Sequence, residues 1–173
     1  MKAIGGIMRS ASSRVWLGLG FLLALSVLVA TPSRGAAIDD LFKAVRENDI
    51  NILDRMIEEY GPESVHMMTR TGVTPLHLAA ALNRTAMAGY LVTRGADVQA
   101  QTAGGFTPLH WAAGRNAAAT AKLLISLGAD PNTPNDKGIT PLHWAAGKNA
   151  TETIRTLLAA GANIHVMTKD DLT

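Results

Sequence analysis

The chain has 173 residues, 47% of them hydrophobic but only 5% aromatic, so its core is built from small and aliphatic side chains. It contains no Cys, which excludes disulfides, thiolate metal sites and Cys nucleophiles. The formal net charge of +2 comes wholly from residues 1–37, which carry Lys2, Arg9, Arg14 and Arg34 with no acid; beyond them 12 basic residues face 14 acidic ones, which is no basic stripe for a nucleic acid.

The first element in chain order has the layout of an export signal. Lys2, Arg9 and Arg14 precede an uncharged, Leu-rich run, Val15 to Ala30, and Thr31-Pro32-Ser33 breaks it. Gly35-Ala36-Ala37 then places small residues at the −3 and −1 positions of a cut before Ile38. Residues 1–37 are therefore read as a signal peptide with a hydrophobic signal helix, which predicts a periplasmic or secreted protein. The alternative is an uncleaved anchor over residues 15–30, although that 16-residue run is short of the roughly 20 that a span needs.

Residues 38–73 predict a helix pair with a charged outer face. Leu41, Ala44 and Val45 recur at helical spacing among Asp39, Asp40, Lys43, Arg46 and Glu47, and Asn48 stands where that helix ends. The next segments are near copies of one another. Thr74-Pro75-Leu76-His77-Leu78-Ala79-Ala80 returns as Thr107-Pro108-Leu109-His110-Trp111-Ala112-Ala113 and as Thr140-Pro141-Leu142-His143-Trp144-Ala145-Ala146, each time 33 residues on. Gly95-Ala96-Asp97, Gly128-Ala129-Asp130 and Gly161-Ala162-Asn163 keep the same step.

Each Thr-Pro pair predicts an N-cap followed by Pro at the first helical position, where the missing N–H costs nothing. Asn83, Asn116 and Asn149 predict left-handed caps at the end of that short helix. A second helix follows, with Leu91-Val92, Leu123-Leu124 and Leu157-Leu158 read as inward-facing. Gly95, Gly128 and Gly161 end it. The segment from Asp130-Pro131-Asn132 to Gly138 reads as a projecting turn.

This pattern resembles the ankyrin repeat. The resemblance covers residues 38–173 and implies an all-α repeat fold, a solenoid of helix-turn-helix units with projecting β-turn fingers. The predicted units are a degenerate capping repeat at 38–73, repeats at 74–106 and 107–139, and a repeat at 140–173 with a truncated following finger. Thr168 to Thr173 would belong to that finger, so the third full repeat is expected to leave an apolar flank; a fragment and a natural half-repeat ending explain this equally. Taken together with the leader, the resemblance implies an exported, bacterial periplasmic member of the family that binds a protein through its concave side as scaffold, inhibitor or stabiliser. A membrane-tethered scaffold and a secreted effector or enzyme accessory are the alternatives.

By the same resemblance, the binding positions are finger residues Arg70, Thr71, Ala103, Phe106, Asp136 and Lys137, and helix-end residues Leu82, Arg115 and Lys148. Arg115, Lys148 and the Trp111/Trp144 pair are expected to anchor an acidic protein partner. A membrane is a partner only if the leader is retained. The motif residues Thr74, Pro75, His77, Thr107, Pro108, His110, Thr140, Pro141 and His143 are expected to be structural, His77, His110 and His143 tying each turn to its neighbour.

Catalysis, cofactors and metals are not expected. Helices stacked roughly 8–10 Å apart keep the three His from one zinc ion, whose ligands lie at about 2.0–2.1 Å. Beyond residue 37 the two Ser, Ser64 and Ser126, lie in no nucleophile-elbow context, and Glu58-Glu59 and Asp170-Asp171 are adjacent residues that point apart. Asn83-Arg84-Thr85 and Asn149-Ala150-Thr151 match the glycosylation sequon, but the cap role explains both.

Overall fold

The computed structural model describes residues 34–169. The leader pattern over 1–33 and the acidic pair Asp170-Asp171 lie outside the described residues. Helix α1 (Arg34–Glu47) takes in the last four residues assigned above to the leader, and Ala37 is buried in it. It pairs with α2 (Ile50–Tyr60), followed by a 3₁₀ turn, Pro62–His66. Three further pairs follow: α3 (Pro75–Ala81) with α4 (Thr85–Thr93), α5 (Pro108–Gly114) with α6 (Ala118–Ser126), and α7 (Pro141–Gly147) with α8 (Thr151–Ala159). No strand is present among the described residues, and no helix among them is long and apolar enough to cross a membrane.

Helices of seven and nine residues do not stand alone in water, so packing holds them. First helices stack in one layer, α1 on α3, α3 on α5 and α5 on α7; α4, α6 and α8 stack in a second. Leu41, Leu76 and Leu109 fill the core of the first layer, and Leu53, Leu91, Leu124 and Leu157 that of the second, all fully buried. Ala44, Ala79, Ala112 and Ala145 are equally buried, and their small side chains let the layers close. The inward pairs predicted for the second helices are corrected in one position: Leu157 is buried, but its neighbour Leu158 is 44% exposed. Helical geometry turns consecutive residues to different faces, so only the residue on the strict repeat step, 91, 124 and 157, enters the core.

The predicted caps form. Thr74, Thr107 and Thr140 are extended N-caps with Pro next. Asn48, Asn83, Asn116 and Asn149 all take positive φ, between 53° and 57°. Their side chains add something unforeseen. Asn83 Oδ1 accepts from the N–H (3.3 Å) and hydroxyl (3.0 Å) of Thr120, and Asn116 Oδ1 accepts likewise from Thr153 (3.2 and 3.3 Å). These two caps therefore also bolt one repeat to the next, and each satisfies a fully buried Thr.

The fingers are tight turns rather than strands. Thr69, Thr102 and Asn135 each accept the N–H of a Gly three residues on, Gly72, Gly105 and Gly138, at 2.9 Å. Neighbouring fingers are laced together by Ala103 N–H to the Thr71 carbonyl, Asp136 N–H to that of Gly104, and Lys169 N–H to that of Lys137. Gly105 shows the constraint: its φ is +76°, and a Cβ there would meet the Asp136 backbone nitrogen at 2.7 Å.

Candidate functional site

Three His build the frame of the site. The N–H of Thr74 donates to Nδ1 of His77 (3.2 Å), which leaves the ring proton on Nε2, and Nε2 donates to the carbonyl of Phe106 (2.9 Å). His110 repeats this with Thr107 (3.1 Å) and Ile139 (2.9 Å). Each ring thus ties its own helix start to the base of the following finger. Burial pushes the His77 imidazole below its ordinary range, against the pull of the Phe106 carbonyl. Burial pushes His110 down to about 4, partly offset by the Ile139 carbonyl, with the charge of His77 lowering it further. His143 accepts from Thr140 N–H (3.2 Å), and its Nε2 has no acceptor among the described residues.

On this frame, Phe106, Trp111, Gly114, Arg115, Trp144 and Lys148 line a groove of about 570 Å³. Two repeats contribute Trp at the same position, but the two indoles are held differently. Trp111 meets the ring of His77 edge-on, centroids 5.6 Å apart. Trp144 packs on Phe106 at 5.2 Å, and Phe106 in turn stands edge-on to His110 at 5.6 Å. Gly114 explains the difference: a Cβ there would lie 2.3 Å from Nε1 of Trp144, so the indole lies across the bare end of α5. The corresponding residue of the preceding repeat is Ala81, and the finger base there is Val73 in place of Phe106.

Arg115 and Lys148 are the C-cap residues of α5 and α7 and both are exposed. A cation is favourable at a helix C-terminus. The cap itself does not demand one, since α3 uses Leu82 there. The Lys148 ammonium lies 5.8 Å from the Trp144 ring centroid. Neither cation joins the one salt bridge among the described residues, Arg94 with Asp54 at 2.6 Å in the second layer.

Of the binding positions read from the sequence, the groove brings together Phe106, Arg115 and Lys148 with both Trp. Arg70, Thr71, Ala103, Asp136 and Lys137 are exposed on the fingers outside that lining, and Leu82 is 41% exposed at the end of α3. The backbones of Thr71, Ala103, Asp136 and Lys137 are engaged in the finger-to-finger bonds. Sequence reasoning missed that Gly114 seats Trp144; the exchange of Ala81 for Gly114 beneath the new Trp was the available signal.

A second groove of about 500 Å³ lies on the outer side of the last pair, among Ile139, Leu142, His143, Trp144 and Ile164, with Ile164 59% exposed.

A search of curated proteins returns no match. The family model for ankyrin repeats (3 copies) matches residues 41–135 and 101–170. With the capping boxes, stacked helix pairs and laced fingers, this shows that the chain belongs to the ankyrin-repeat family.

Proposed function

We propose that this chain is an exported protein that holds another protein in the groove formed by Phe106, Trp111, Trp144, Arg115 and Lys148, as a scaffold, inhibitor or stabiliser. Ankyrin repeats mediate protein–protein interaction and are typically non-catalytic. The observation that carries the reading is the groove itself, a half-buried aromatic floor with two cations on its rim that form no salt bridge among the described residues. Aromatic and Arg side chains in a concave setting are the residue types on which binding energy concentrates. The leader pattern of residues 1–37 supports export, to the periplasm or medium.

Affinity capture from the exported fraction, wild type against an Arg115→Glu/Lys148→Glu variant, tests the groove. The wild type retains a protein that the variant loses. Equal retention by a folded variant contradicts the reading. Cell fractionation with intact-mass measurement tests export: the expected species is soluble and begins at Ile38. A membrane-bound species that keeps residues 1–37 would instead support the tethered scaffold.

A further inference from the structure

The polar chemistry of the groove narrows what occupies it, given that the groove is the protein-binding site. Every polar side-chain group in its lining is a donor: the indole N–H groups of Trp111 and Trp144, the guanidinium of Arg115 and the ammonium of Lys148. Phe106 and Gly114 contribute none, and no carboxylate, amide or hydroxyl side chain shares the lining. None of the four donors is spent on a protein acceptor among the described residues. An occupant has to supply acceptors and negative charge, and has to cover aromatic surface.

The spacing adds a length. Arg115 and Lys148 cap successive stacked helices, and such helices lie roughly 8–10 Å apart. A polyproline II segment advances about 3.1 Å per residue with three residues per turn, so side chains three residues apart share one face and lie about 9 Å apart. We propose that the groove docks an acidic segment of a partner protein in polyproline II conformation, with two carboxylate side chains three residues apart on Arg115 and Lys148 and an apolar side chain between them against Trp144 and Phe106.

A single-stranded nucleic acid also stacks on aromatics beside cations. It is the weaker fit, because two cations on a chain that is net acidic beyond its leader neutralise few phosphates. A free C-terminal carboxylate offers one anion to two cations.

The test is titration of the ¹⁵N-labelled protein, as recovered from expressing cells, with an octapeptide blocked at both ends. The peptide carries two glutamates three residues apart with a phenylalanine between them. The Trp111 and Trp144 indole N–H signals shift saturably. Replacing both peptide glutamates by glutamine weakens binding at least tenfold, and so does the Arg115→Glu/Lys148→Glu variant, whose exposed positions leave the fold intact. Equal binding of the acidic and glutamine peptides overturns the proposal. So does tighter binding of a neutral peptide with a free C-terminus, or of a short oligothymidylate.

If neither peptide moves the indole signals up to millimolar concentration, the acidic specificity is wrong. Partner capture by a folded Trp111→Ala/Trp144→Ala variant then decides the broader reading. Loss of capture leaves the groove as the binding site, and retained capture removes it.

Discussion

One residue sets the seat of Trp144 in the groove, and it is not one of the anchors. Gly114 leaves the space that Trp144 fills, with no room for a Cβ at 2.3 Å from the indole nitrogen. Gly147 holds the same place one repeat later and has nothing within 4 Å. Gly114→Ala should therefore displace Trp144, change its fluorescence and lower stability. Gly147→Ala should stabilise by up to about 1 kcal/mol, through helix propensity alone. Urea unfolding of the two variants checks this; a matching gain from both would mean that Trp144 does not depend on its seat.

The buried His carry a pH signature at the same scale. His110 is held neutral when folded, at about 4, against 6.5 when exposed. Between these values the unfolded chain binds the extra proton, so stability is complete above pH 6.5 and falls as pH drops towards 4. The loss from His110 amounts to about 3 kcal/mol across that window, and His77 adds to it in the same direction. His110→Gln keeps a side chain that can close the capping box but does not titrate. Its unfolding free energy should depend less steeply on pH between 6.5 and 4 than that of the wild type, and an unchanged slope would contradict the assignment.

At the scale of the element, the short helix and its Asn cap form one device with two outputs. The cap turns the chain, as expected from Asn83, Asn116 and Asn149 in the sequence. Its side chain also reaches the next repeat, which the sequence does not announce, because the partners Thr120 and Thr153 lie 37 residues away. The signal was present only as a recurrence: Thr120 and Thr153 stand at the repeat step and are polar residues in a core face. Asn116→Gly keeps the positive φ but loses both bonds to Thr153, and should cost about 1–2 kcal/mol. Asn149 makes no such side-chain bond among the described residues, so Asn149→Gly should be neutral or slightly stabilising. Thermal unfolding distinguishes the pair, and equal effects would show that the inter-repeat bond contributes nothing.

At the scale of the molecule, stacking converts a repeated motif into a surface. Ankyrin-type repeats are stabilised by nearest neighbours, so the layers seen here follow from the sequence period itself. The architecture, the helix starts and the left-handed caps were legible for that reason: each rests on local chemistry within a few residues of Thr-Pro, Asn or Gly. The candidate site was half legible. Arg115, Lys148 and the two Trp could be aligned as one face, but which fingers join them could not. Phe106 enters the groove because its ring packs on Trp144 and His110, with Trp144 seated on Gly114, while Ala103, Asp136 and Lys137 are exposed on the fingers outside its lining. The inward pairing of Leu158 failed because two adjacent leucines on a helix cannot both sit on the repeat step.

The central claim is that the partner lies against the first-layer groove and not against the second layer. Site-specific photo-crosslinking in expressing cells tests it most directly. A benzophenone side chain at position 147, exposed beside Lys148 at the end of α7, is compared with one at position 122, where Lys122 is exposed on α6. The account predicts a discrete protein adduct from position 147 that disappears with Arg115→Glu/Lys148→Glu, and none from position 122. An adduct from position 122 alone, or one from 147 indifferent to the charge reversal, would contradict it.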